Sequence, residues 1–119
     1  MEIKLFDSEL KVMDVLWKEG VLTAKQLAGI LKEQVGWNKN TTYTVIKKCI
    51  EKGAIERMEP NFQCRATLVK EQVQQQEAEE LVNKIFDGSV DLLFASLLNK
   101  KSLSPEEIKR LKQLVNELE

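Results

Sequence analysis

Histidine is absent from this 119-residue chain. That removes the side chain most often used as a general base near neutral pH and the commonest transition-metal ligand. Cysteine is scarce, with only Cys49 and Cys64. Two isolated cysteines without histidine make a poor zinc site, and in a reducing compartment they are expected as free thiols. The single tyrosine and the scattered carboxylates offer no nucleophile–base pair. Glu79 and Glu80 are neighbours and so fall on different faces of a helix. Neither an enzyme nor a metal or other cofactor is therefore expected. No apolar run approaches the roughly 18 residues of a membrane span. The opening MEIKLFDSELK lacks the cationic and apolar regions of a signal peptide. A cytoplasmic protein with no membrane partner is the expectation.

What is present is ordinary in bulk and uneven in detail. The length suits one domain, or one small domain with an oligomerisation arm. The net charge is −1. Residues 1–67 hold eleven Lys and Arg against nine Asp and Glu, whereas residues 68–119 hold seven against ten. Residues 36–53 concentrate Lys39, Lys47, Lys48 and Lys52 against Glu51 alone. Such local clustering matters more for a nucleic-acid footprint than total charge does.

The chain falls into helices separated by glycine and proline. Residues 7–19, DSELKVMDVLWKE, read as a helix that Asp7 or Ser8 can cap. Its apolar stripe is Leu10, Met13, Val15, Leu16 and Trp17, and Gly20 ends it; Trp17 is expected to centre a core. Val21–Leu22–Thr23 allows only a scrap of strand. Thr23 and Gln26 form a capping box for a second helix that runs to about Glu33, with Leu27, Ala28, Ile30 and Leu31 apolar. Val35–Gly36–Trp37 is a break, where Trp37 can staple the next helix or stack on a partner.

The third helix, starting near Asn40, is the chain's most informative stretch. At about 100° per residue, Thr42, Val45, Ile46, Cys49 and Ile50 share one face. Asn40, Thr41, Thr44, Lys47, Lys48 and Glu51 share the other, and Gly53 sits where a left-handed cap ends a helix. A face of amides and hydroxyls followed by lysines suits the DNA major groove; a plain solvated face is the bland alternative. Residues 54–58 and 62–67 then alternate as strands around the turn Glu59–Pro60–Asn61. Three helices followed by a hairpin make a winged helix-turn-helix. Arg57, Asn61, Gln63 and Arg65 are polar groups that a wing could offer to phosphates.

Beyond Thr67 the chain reads as helical: a long polar helix over 68–86, an interruption at Asp87–Gly88–Ser89, an apolar run to Leu98, and a final helix opened by Ser104–Pro105–Glu106–Glu107. This arm is too short to bury its own leucines. A two-fold pairing with a second copy is the expected solution, with Leu93, Leu97, Leu98, Leu111 and Leu114 in the shared core. The expected organisation is thus mainly α with a small β-wing: a winged-helix DNA-binding domain over 1–67 and a helical dimerisation domain over 68–119.

Three segments, SELKVMDVLW, GWNKNTTYTVIKKCIEKGAIER and NFQCRATL, resemble the bacterial penicillinase and methicillin-resistance repressor family, which also includes copper-responsive repressors. The spacing of Trp37, Thr41 and Thr44 carries the likeness most specifically, and the final LSPEEIKRLKQLV fits it. The resemblance implies a dimeric repressor of antibiotic-resistance or related genes, binding double-stranded, palindromic operator DNA through helix three. It places Asn40, Thr41 and Thr44 on base edges. Lys39, Tyr43, Lys47, Lys48, Arg57, Asn61 and Arg65 are then assigned to the DNA backbone. It also implies a sensor protease as partner, although the Asn–Phe bond cut in β-lactam-sensing relatives is matched here by Ser96–Leu97. The paired C-terminal cysteines of copper-responsive relatives are absent. The competing reading is a winged-helix protein–protein adaptor without sequence-specific DNA binding.

Overall fold

The structure, a computed structural model, describes residues 3–99 and 104–117, without the side chains of residues 99, 111 and 114–117. Its contacts divide the chain into two compact units, Met1–Gln74 and Gln75–Glu119.

The first unit is built from α1 (Asp7–Glu19), β1 (Leu22–Thr23), α2 (Ala24–Val35), α3 (Lys39–Lys52), β2 (Ile55–Met58), β3 (Gln63–Ala66) and the start of α4 (Lys70–Ile85). The strands form one antiparallel sheet in the order β1-β3-β2. Leu22 faces Cys64, so the scrap of strand expected at Val21–Thr23 is recruited by the hairpin. The three helices and the hairpin give a winged helix, as the sequence predicts.

Local chemistry explains most of the helix ends. Thr23 Oγ1 accepts from Gln26 N–H, while Thr23 N–H donates to the Gln26 side chain, which closes the expected capping box. Gly36 and Gly53 end α2 and α3 with φ of 74° and 84°, where a side chain would clash with its own backbone. The first helix differs from expectation. Neither Asp7 nor Ser8 caps it. Phe6 occupies the cap position, and its N–H donates to Glu9 Oε1 at 2.7 Å. Glu9 thus supplies the reciprocal half of a capping box, while Phe6 has no side-chain acceptor to supply the other half.

The core of this unit is drawn from every element. Met13, Leu27, Leu31, Ile46, Val12 and Cys49 have essentially no exposure, and Leu5, Ala54, Ile55, Cys64 and Val73 join them. Val12, omitted from the expected stripe, completes the Glu9, Val12, Met13, Leu16 face at helical spacing. Trp17 does not centre the core. It is half-buried at the rim, where its indole N–H donates to the Leu68 carbonyl at 2.8 Å, 51 residues away. Trp37 packs against the core.

The second unit holds the remainder of α4, α5 (Val90–Asn99) and α6 (Pro105–Glu117). Asp87 and Gly88, both at positive φ, separate α4 from α5 as the sequence predicts. Ser104 and Glu107 form a reciprocal capping box at α6, with bonds of 3.1 and 3.2 Å. Val82 is buried, but Leu81, Ile85, Val90, Leu92, Leu97 and Leu98 stay exposed. Leu93 is half-buried. The side chains of Leu111 and Leu114 lie outside the described residues.

Candidate nucleic-acid interface

Helix α3 is anchored along its inner side and left open along its outer one. Asn38 caps it, its side-chain oxygen accepting Thr41 N–H at 2.8 Å. Thr42, Val45, Ile46 and Cys49 are buried and Ile50 is half-buried. Asn40, Thr41, Thr44, Lys47, Lys48 and Glu51 are all exposed, so the two faces divide as the periodicity requires. Among the described residues, the side chains of Asn40, Thr41, Lys47 and Lys48 have no partner within the chain. Thr44 donates its hydroxyl to the Asn40 carbonyl at 2.9 Å, which fixes the rotor and leaves the oxygen's lone pairs outward.

The far end of α3 is clamped. Lys52 Nζ lies 2.6 Å from Glu9 Oε1 and 2.7 Å from the Lys4 carbonyl, with its ammonium 4.1 Å from the Phe6 ring centroid. The Glu9 side chain is 1% exposed and that of Lys52 28%. Lys52 is therefore not part of the open cationic set. Burial pushes the Cys49 thiol up to about 12, with the Glu9 carboxylate adding to the shift, and burial pushes Cys64 up to about 11. Neither thiol is a nucleophile at neutral pH.

The wing packs against α3 through aromatic rings. Tyr43, half-buried, meets Phe62 edge-on at 5.9 Å. Lys39 Nζ lies 5.6 Å from the Tyr43 centroid, and Arg57 Cζ lies 3.7 Å from that of Phe62. Phe62 was expected to open a strand. It sits instead in the turn at φ 52°, beside Asn61 at φ 69°, and its carbonyl accepts Ala24 N–H at 2.9 Å. Sequence reasoning missed this residue as a hub; its one signal was an aromatic directly after a Pro–Asn turn.

The wing arginines are engaged by carboxylates of their own hairpin. Arg57 Nε lies 2.6 Å from Glu59 Oε2, and Arg65 lies 3.1 Å from Glu56 across the strands. That bond to Arg57 is the main reason the Glu59 carboxyl titrates below its usual value. Asn61 is exposed at the tip, while Gln63 donates to the Pro60 carbonyl. No group of three or more Cys, Asp or Glu among the described residues is placed to hold a metal. No helix among them is long and apolar enough to cross a membrane.

The profile of the penicillinase repressor family matches residues 5–117. The chain belongs to the penicillinase repressor family. It is 24% identical over 115 residues to the methicillin resistance regulatory protein MecI of Staphylococcus aureus (strain N315), covering 95% of this chain and 94% of that one. The penicillinase repressor of Bacillus licheniformis is 24% identical over 116 residues, covering 96% and 91%. Among solved structures, the DNA-binding domain of the repressor BlaI superposes with a TM-score of 0.54 at 24% identity, over 57% of this chain and 85% of that one. Bacillus licheniformis BlaI in its monomeric form, in complex with the blaP half-operator, superposes with a TM-score of 0.52 at 25% identity, over 58% and 88%.

Proposed function

We propose that this protein is a dimeric, cytoplasmic transcriptional repressor that binds a palindromic DNA operator through α3. The observation that carries the reading is the open outer face of that helix. Four of its polar side chains have no partner among the described residues, and the penicillinase repressor BlaI, of the same fold, was solved on a half-operator. Asn40, Thr41 and Thr44 read base edges in the major groove. Lys39, Tyr43, Lys47 and Lys48 meet phosphates from the helix, and Arg57, Asn61 and Arg65 meet them from the wing. The region from residue 68 onward serves dimerisation, with Leu93, Leu97, Leu98, Leu111 and Leu114 in the shared core. A two-fold pair places two reading helices on one duplex. Separating the copies, by a sensor protease acting on the arm or otherwise, releases the operator.

The test is a gel shift on random-sequence DNA and on a duplex enriched from a random pool by the protein. Affinity is expected to fall steeply with salt on both. Thr44→Ala and Asn40→Ala should lose about 1–3 kcal/mol on the enriched duplex and little on random DNA. Lys47→Ala should weaken both equally and flatten the salt slope. Equal losses on both duplexes from Thr44→Ala would remove Thr44 from the base-reading set. No salt-dependent binding at all would favour the protein–protein adaptor.

A further inference from the structure

Glu59 and Arg57 form an ion pair beside Phe62, the ring through which the turn of the wing meets Tyr43 of α3. The pair is short, 2.6 Å, and open to solvent, with the two side chains 50% and 61% exposed for Arg57 and Glu59 respectively. A continuous stack leads to it from the start of α3: Lys39 on Tyr43, Tyr43 against Phe62, Phe62 beneath Arg57. The Phe62 ring holds the guanidinium by its face, so the fork of N–H donors can turn from one acceptor to another without leaving its seat.

We infer that Glu59 is a built-in competitor for DNA phosphate at Arg57, and that it holds down this protein's sequence-independent affinity for DNA. The inference rests on the DNA-binding reading above. An exposed ion pair is weak, so a phosphate can displace the carboxylate. The displaced carboxylate then stays within a Debye length of that phosphate and repels it. The phosphate contact at Arg57 thus adds little to binding that depends on charge alone. Base contacts made by α3 carry a larger share of operator affinity in consequence. The modest cationic excess of the winged-helix half agrees with such restraint, since eleven Lys and Arg face nine Asp and Glu over residues 1–67.

The experiment compares wild type, Glu59→Gln, Arg57→Gln and the double variant on random-sequence duplex and on the enriched duplex across a salt series. Thermal unfolding is followed alongside to confirm that each variant is folded. Glu59→Gln should steepen the logarithmic salt slope by about 0.9, one added phosphate contact, which is roughly eight-fold per ten-fold change in salt. Random-DNA and operator affinity should rise by a similar factor, as expected of a phosphate contact. In the Arg57→Gln background the Glu59→Gln gain should vanish. An unchanged slope in Glu59→Gln overturns the inference. So does an equal gain with and without Arg57, which would be general charge repulsion. A wild type that binds neither duplex at low salt removes the DNA-binding reading itself, and this inference with it.

Discussion

Glu9 is a fully buried carboxylate that is tolerable only because Lys52 and the Phe6 N–H reach it. It joins the N-terminal segment, α1 and the last turn of α3. Lys52→Met keeps the apolar stem over Phe6 but strands the charge. A loss of about 3–5 kcal/mol is expected, because an uncompensated buried charge is much worse than no charge. Replacing both partners, Glu9→Leu with Lys52→Met, should recover most of it. Chemical denaturation of the three proteins checks the pattern; similar stabilities for the single and double variants would show the bridge to be incidental. Cys49 makes a second prediction of the same kind. Its pKa in the folded state, about 12, lies above the ordinary thiol value of 9.0 because burial disfavours the thiolate. The protonated form is favoured by folding, so this contribution to stability is complete below pH 9 and is lost as the pH rises from there towards 12. Thiol reagents should label Cys49 slowly at pH 8 in the native protein and quickly after unfolding. Rapid native labelling would mean that α3 is rotated from the orientation described.

At the scale of the element, Phe62 ties the turn of the wing to α3 and to α2. Phe62 stacks under Arg57, meets Tyr43 edge-on and ties its carbonyl to the start of α2. Phe62→Ala removes both ring contacts while leaving a side chain at positive φ. An aromatic pair contributes about 0.5–1.5 kcal/mol and an exposed cation–π contact about 0.5–1. A loss of about 1–2.5 kcal/mol is therefore expected, together with faster amide exchange at Arg57 and Gln63 while α1 and α2 stay protected. Uniformly faster exchange across the first unit would instead place Phe62 in the global core. The helix α3 itself presents an open polar face because its opposite face is so well anchored, at Asn38, at Cys49 and at Lys52.

For the whole molecule, the decisive feature is apolar surface in the second unit that is exposed among its described residues. Leu92 is 50% exposed and Leu98 47%. Single exposed leucines are unremarkable, but Leu81, Ile85, Val90, Leu92 and Leu98 together in one small helical unit call for a partner. In the dimer proposed above, a second copy covers this surface with two-fold symmetry. Because Leu98 is exposed within a single chain, Leu98→Asp should leave that chain folded and yet bury an unpaired charge in the pair. Sedimentation should show monomers. Operator affinity should drop towards that for random DNA, since one reading helix cannot span half-sites about 34–36 Å apart. A variant that remains dimeric with full operator binding would remove this surface from the dimer interface.

The sequence by itself determined whatever is decided within a few residues. The two faces of α3 follow from the spacing of Thr42, Val45, Ile46 and Cys49 against Asn40, Thr44 and Lys47. The capping boxes at Thr23 and Ser104 need only a partner three residues on, and Gly53 needs only its own missing side chain. The winged-helix order and the open polar face of α3 were legible for that reason. Tertiary structure decided the rest, because the groups concerned are distant in the chain. Glu9 looks like one more surface acid until α3 brings Lys52 to it, 43 residues away. Trp17 looks like a core residue until Leu68 offers its carbonyl at the rim. Phe62 looks like a strand residue until the turn, α2 and Tyr43 all converge on it. Arg57 and Arg65 look like free phosphate ligands until the hairpin's register and turn set Glu56 and Glu59 beside them. Periodicity reports which way a side chain faces; only the folded chain decides which charge or ring waits there, because a contact between distant residues depends on every element between them.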